Sequence, residues 1–307
     1  MMRDSENNFP DGQFKSRYIS VGGAMIHYIE SGTHDPPILL LHGIPTHSYI
    51  WRKVIPHLSP HARTIAVDMI GFGRSDKPLD ITYDLPTYTR FLEEFIAALD
   101  LDNLTIVGMD LGLIVGLNYA MNHKEKIRSL VIFEGFFQPM NIAYKNLPLF
   151  NRFSLWLMKN QRISRHMILD DGLHMVEQMM NTATLRKLTQ DEISIYQEPF
   201  RDGEVRRKVW FEGVGPRAIK QTSDHPGDLV DLINRYSEKL SKSKIPKLLI
   251  YGEPGMVVSK KTAESARTSI PNLVTRFIGK GKHFLPEDEP DALGKAIAEF
   301  YLGLPDT

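Results

Sequence analysis

One aspartate stands where a sharp turn would lift it clear of its neighbours. In Ile106-Val107-Gly108-Met109-Asp110-Leu111-Gly112 an apolar run ends in Gly-x-Asp-x-Gly, and the apolar stretch 113–120 continues with the character of a helix. Glycines on both sides permit a tight strand-to-helix turn, the shape of a nucleophile elbow, which raises the middle side chain above a sheet. A serine there would attack a carbonyl, whereas a carboxylate can attack a saturated carbon and form an ester to the protein. Breaking that ester with water needs a base, and the base needs an acid to orient it. His283 in Gly279-Lys280-Gly281-Lys282-His283-Phe284 fits the base, and Glu134 in Phe133-Glu134-Gly135 fits the acid. Glu253 in Tyr251-Gly252-Glu253-Pro254-Gly255 competes with Glu134 for that place. Asp110 has a plainer alternative as a helix cap, but the flanking glycines after an apolar strand favour the elbow. His47, His57, His123 and His166 read as surface or core residues.

These residues must be held by an alternating frame. Residues 17–31 alternate as a hairpin around Gly22-Gly23. Ile38-Leu39-Leu40-Leu41 is a continuous apolar run of the kind a strand covered on both faces requires. A helix over 49–58, a strand over 63–67, a glycine-rich loop over 68–75 and an amphipathic helix over 88–99 lead to the elbow strand at 104–107. Further strands are read at 128–133, 245–252 and 273–278, with a closing helix at 291–301. That gives an α/β fold with an eight-stranded, mostly parallel sheet and helices on both faces. From 138 to 240 the rhythm breaks into Met-, Leu- and aromatic-rich helical segments, read as a helical cap inserted between core segments 1–137 and 241–307. In an open parallel sheet the chemistry gathers at the carboxyl ends of the strands. The loop His42-Gly43-Ile44-Pro45 follows the third of the eight strands, Asp110 the fifth, Glu134 the sixth and His283 the last. The order of nucleophile, acid and late histidine is that of the α/β-hydrolase triad. The backbone N–H groups of Ile44 and Leu111 are then the expected donors to the oxyanion of the ester's hydrolysis.

Composition bounds the remaining choices. The chain of 307 residues has 37 basic and 37 acidic side chains and no block of like charge, so neither nucleic acid nor an acidic membrane surface is an expected partner. With no cysteine, disulfides and thiolate metal sites are excluded, and no metal or cofactor is expected. Residues 1–14 are polar and lack the apolar segment of a secretory signal, and no run approaches the roughly 18 apolar residues of a membrane span. The expectation is a soluble, cytoplasmic monomer or homodimer acting on a small apolar organic substrate and water.

Over nearly its whole length the sequence resembles the haloalkane dehalogenase family of α/β-hydrolases. The resemblance rests on His42-Gly43-Ile44-Pro45-Thr46 with Ser48-Tyr49 and Trp51-Arg52, on Asp68 through Pro78, on the Asp110 elbow, and on Phe133-Glu134. It continues in Glu198-Pro199-Phe200, Pro246-Lys247-Leu248-Leu249, and His283-Phe284-Leu285 with Glu287-Asp288 and Pro290-Asp291. It implies an Asp110 nucleophile, a His283 base and, as in the branch whose acid follows the sixth strand, a Glu134 acid. It also implies a halide held between a Trp just after the nucleophile and an Asn in the His-Gly-Asn-Pro loop. Here those positions are Leu111 and Ile44. Neither side chain can donate a hydrogen bond, and losing one such donor costs about 10²–10³ in rate.

Four readings follow. The first is a dehalogenase-type hydrolase with altered or weak halide specificity, its leaving anion met by a cap tryptophan, Trp156 or Trp210. The second is an epoxide hydrolase, in which a cap tyrosine protonates an oxygen that stays attached. Tyr144 is the candidate, while Tyr196 lies in a stretch that dehalogenases share and so reads as packing. The third is a biosynthetic relative doing lactone, cyclisation or decarboxylation chemistry, and the fourth a ligand-binding protein without catalysis. The Met-rich cap also suits an adaptable apolar pocket.

Overall fold

The computed structural model describes residues 2–8, 14–147, 160–214 and 229–305. A nine-stranded sheet runs through it in the order β1-β2-β3-β5-β4-β6-β7-β8-β9. The strands are β1 (Met2–Asn8), β2 (Lys15–Val21), β3 (Ala24–Ser31), β4 (Ile38–Leu41), β5 (Thr64–Val67), β6 (Leu104–Gly108), β7 (Ile127–Ile132), β8 (Lys247–Pro254) and β9 (Leu273–Gly281). The first three are antiparallel to their neighbours, and all pairings from β5 to β9 are parallel. The eight expected strands are β2 to β9. The ninth, β1, was not expected, because Met-Arg-Asp-Ser-Glu-Asn-Asn carries no apolar alternation. An edge strand pairs through its backbone on one side and requires none.

Each central strand is apolar because both faces are covered. Ile38, Leu39, Leu40 and Leu41 are fully buried, as are all residues of β5 and β6. The amphipathic helix Leu85–Ala98 covers one face, with Asp84 accepting from the Thr87 N–H at its start and Leu85, Tyr88, Phe91, Leu92, Phe95 and Ile96 turned inward. The helix Asp110–Asn122 is buried almost all round and lies directly on β4. Gly112 makes that contact possible, since a Cβ there would overlap the carbonyl groups of Leu41 and His42. The helix expected over 49–58 is instead two short turns, Ser48–Trp51 and Ile55–Leu58, with Pro56 opening the second because it has no N–H to continue the first.

Register brings the loops level. Leu41 of β4 lies opposite Gly108 of β6, which lies opposite Ile132 of β7, so three strands end in one row. The chain leaves that row as the Ile44 loop, Asp110 and Glu134. Beside it, Pro254 of β8 pairs with Gly281 of β9, two residues before His283. Between β7 and β8 the described residues hold helices and no strand: Met140–Asn146, Gln161–Arg165, Gly172–Ala183, Gln190–Gln197, Gly203–Val205 and Leu229–Leu240, with a 3-10 turn at Glu198–Phe200 and π-helical turns at His166–Asp170 and Arg206–Val214. No described helix is long and apolar enough to cross a membrane.

Candidate active site

The turn after β6 is strained in the way an elbow requires. Asp110 has φ +48° and Glu134 has φ +41°, both in the left-handed region that side chains with a Cβ rarely adopt. The two strained residues brace one another, for the Asp110 N–H donates to the Glu134 carbonyl at 3.2 Å. Strain of this kind persists only where the surroundings over-determine it, and it gathers at functional sites. Gly43 supplies the space, since a Cβ there would collide with Asp110 itself.

Three side chains from three loops meet above the row of strand ends. His283 Nε2 lies 3.5 Å from Asp110 Oδ2, and His283 Nδ1 lies 3.4 Å from Glu134 Oε2. Catalytic hydrogen bonds of this length are common before a substrate is bound. Glu134 is fully buried, and its carboxylate is fixed by backbone donors: Met256 N–H at 3.1 Å, Val257 N–H at 2.8 Å and Val258 N–H at 3.3 Å. Glu253, its competitor, is exposed at the end of β8. Asp110 Oδ1 accepts from the Ile44 N–H at 2.9 Å, and the Leu111 N–H also bonds the carboxylate. Oδ1 is thus held by a main-chain donor while Oδ2 faces the imidazole.

The charges are mutually supporting. Burial pushes the Asp110 carboxyl up, but the hydrogen bond and charge of His283, with the Ile44 and Leu111 N–H groups, outweigh it and hold the carboxyl below its ordinary range. Burial pushes His283 down, and its hydrogen bonds to Asp110 and Glu134, with their charges, overcome this and raise it to about 9. The resting pair near neutrality is therefore carboxylate and imidazolium. A raised histidine pKa means that the folded state holds the proton more tightly. Its contribution to stability is complete below the ordinary value of 6.5 and is lost as pH rises through about 9. In Asp110→Asn, whose side chain tolerates the left-handed backbone, the His283 imidazole should titrate at lower pH, and thermal stability should fall less between pH 6.5 and 9. Imidazole NMR titration and melting curves across that window check both.

Five other histidines are placed as follows. Burial lowers His42 to about 4, so it is neutral; its Nε2 accepts from the Met69 N–H at 3.0 Å, which leaves Nδ1 protonated to donate to the Gly43 carbonyl. His42 therefore shapes the Ile44 loop and is no base. His47 is buried, His57 pairs with Asp291, His123 with Glu93, and His166 is exposed beside Asp170.

The pocket residues expected from sequence fare unevenly. Trp210 is buried and packs on Phe200, which packs on Phe72, the neighbour of His42. Trp156 lies outside the described residues. Tyr144 is exposed on the helix Met140–Asn146, which argues against a place in a closed pocket. Tyr196 is fully buried and donates its hydroxyl to Glu287. Sequence reasoning missed Gly43 and the three N–H groups at 256–258 that hold Glu134. For Gly43 the signal was a glycine just past the end of an apolar strand; the others are main chain and left none. Ile44 is half-buried and Leu111 buried, both apolar where they border the carboxylate.

Comparisons with known proteins bear on the fold and the family. Residues 36–290 match the α/β hydrolase fold family. A haloalkane dehalogenase of Sphingobium indicum is 36% identical over 294 residues, covering 93% of this chain and 95% of the relative. A haloalkane dehalogenase of Mesorhizobium japonicum is 31% identical, covering 93% and 91%. The crystal structure of a haloalkane dehalogenase from Bradyrhizobium elkani superposes with a TM-score of 0.86 at 29% identity, covering 95% of this chain and 99% of that one. The chain is an α/β-hydrolase enzyme and belongs to the haloalkane dehalogenase family.

Proposed function

We propose that Asp110 is the nucleophile, His283 the general base and Glu134 its orienting acid in a two-step hydrolysis through an alkyl ester, with altered or weak halide specificity. The relatives are named for action on haloalkanes, and the same class of small organic substrate is assigned to this site. Residues 138–240 form its cap over a core of 1–137 and 241–307. The observation that carries the reading is the split environment of the Asp110 carboxylate. Oδ1 is held by the Ile44 N–H, so it becomes the carbonyl oxygen of the ester, while Oδ2 is left to attack. A lone pair of Oδ2 forms the new C–O bond as the C–X bond breaks and X leaves with its electrons.

Esterification removes the negative charge of Asp110, a principal cause of the raised pKa of His283. Burial then pulls the imidazole down, and it releases its proton at the stage where a neutral base is needed. Neutral His283 takes a proton from water, hydroxide adds to the Asp110 Cγ, and the oxyanion forms on Oδ1 between the Ile44 and Leu111 N–H groups. Collapse expels the alkoxide, which His283 protonates. The sum is alcohol, halide and one proton.

The apolar side chains of Ile44 and Leu111 favour weak halide release, with Trp156 or Trp210 as the remaining donor to the departing anion. They would equally suit a leaving group that stays attached, as in epoxide opening. That reading needs a free hydroxyl over the carbon, and the cap tyrosines supply little: Tyr196 is bonded to Glu287, Tyr236 donates to the Phe136 carbonyl at 2.6 Å, and Tyr144 is exposed. Incubation with bromobutane, dibromoethane and styrene oxide should give slow halide release. Diol without halide would overturn the dehalogenase reading. Silence on all three would turn attention to lactone, cyclisation or decarboxylation chemistry, or to binding alone.

A further inference from the structure

Five side chains that take no part in the chemistry above meet in one buried cluster. Glu287 has a fully buried side chain, in the turn Leu285–Asp288 just after His283. Its Oε1 accepts from Arg52 at 2.6 Å and from the Tyr196 hydroxyl, and its Oε2 from Arg52 at 3.1 Å and from Arg186. Glu192 bridges the same two guanidiniums, at 2.6 Å to Arg52 and at 2.7 and 2.9 Å to Arg186. Two cations and two anions thus compensate one another, with Lys53 at the rim. Breaking such a set at one member leaves an unpaired buried charge, which is costly.

What the cluster joins gives it meaning. Arg52 belongs to the turn just beyond the Ile44 loop, Glu287 to the loop that carries His283, and Arg186, Glu192 and Tyr196 to the helical insertion. The same insertion segment grips the histidine loop through its backbone. Phe284 N–H donates to the Ala183 carbonyl at 3.1 Å, and Lys282 Nζ to the Thr182 carbonyl at 2.8 Å. Asp288 accepts from the Leu185 N–H at 2.7 Å, the Arg186 N–H at 3.1 Å and the Lys282 N–H at 2.9 Å. Residues on both sides of His283 are therefore tied to residues 182–186. His47, beside the Ile44 loop, reaches the Ile195 carbonyl at 3.3 Å.

We infer that Glu287 is a positioning residue: through Arg52, Arg186 and Tyr196 it locks residues 182–196 of the insertion to the His283 loop and to the turn beyond Ile44, so that base and oxyanion donors are set together. This part of the insertion belongs to the catalytic frame.

The test reads the imidazole itself. It rests on the assignment of His283 but needs no substrate, so its failure is separable from a failure to find haloalkane turnover. The His283 signal is identified by its loss in His283→Gln, and its titration is followed by NMR beside the melting temperature. Tyr196→Phe keeps every charge paired and removes one hydroxyl, so it keeps the test decisive if Glu287→Gln fails to fold. An imidazole displaced from Asp110 and Glu134 is governed by burial, so its titration should fall from about 9 by about one unit or more in Glu287→Gln, and by less in Tyr196→Phe. Lys247→Met is the control for loosening alone: Lys247 bonds three backbone carbonyls at the opposite end of β8. It should lower the melting temperature and leave the titration unchanged. A lower melting temperature in the cluster variants with His283 still titrating at about 9 would overturn the inference, as would an equal shift in Lys247→Met.

Discussion

His283→Gln should stop the reaction at the ester and leave the protein heavier by one alkyl group, the added mass mapping to the peptide that contains Asp110. The first step asks nothing of the imidazole beyond its charge, and the Ile44 and Leu111 N–H groups still hold the carboxylate when it is gone. The second step loses its base, and a positioned general base is worth about 10²–10⁴ in rate. Alkylation then outruns hydrolysis, and halide appears as a single stoichiometric burst instead of continuing turnover. Bromobutane serves as the probe, with intact mass, halide and peptide mapping as readouts. Asp110→Asn with His283→Gln should gain no mass. If the parent protein releases halide while folded His283→Gln gains no mass and shows no burst, the assignment of His283 to the second step alone is wrong. His283 would then be acting in the first step.

Much of this frame is legible in the sequence, and the reasons are local. Gly108 and Gly112 around Asp110 announce a turn that only small neighbours permit, and the uninterrupted Ile38–Leu41 run announces a strand covered on both faces. The choice between Glu134 and Glu253 was different. Both end an apolar strand and both adjoin a glycine, so their local chemistry is alike, and the sequence favours Glu134 only through the resemblance carried by Phe133-Glu134. Their surroundings differ in burial and in the three backbone N–H groups from 256–258 that bond Glu134, and main-chain donors have no sequence signature. The Glu287 cluster was illegible for another reason. Arg52 and Glu287 are 235 positions apart, and their pairing exists only once the sheet has brought the two loops together. The strand β1 left no trace because an edge needs no apolar face, and the helix over 49–58 was misjudged because helical spacing continued across Pro56.

Replacing Ile44 by Asn and Leu111 by Trp should raise the rate of halide release, and the two changes should differ in what they cost. Each restores one N–H donor to the place where the leaving anion departs, and one donor to a developing anion is worth about 10²–10³ in rate. Both act on the same anion, so the double variant should gain less than the product of the singles. Ile44 is half-buried, so an amide there keeps some solvent, and Ile44→Asn should lower stability little. Leu111 is 4% exposed, and the larger indole must displace packed neighbours, which typically costs about 1–3 kcal/mol. The melting temperature therefore has to be read beside the halide rate, with Ile44→Asn as the cleaner single test. Hydrolysis of the ester should be unaltered, because the oxyanion donors at 44 and 111 are main-chain groups that survive both substitutions. Faster release of halide with an unchanged second step would locate the deficit in the grip on the leaving group. A folded double variant that releases halide no faster than the parent would show that the anion does not depart between these two positions, and the apolar wall beside Asp110 would then be shaping the substrate instead.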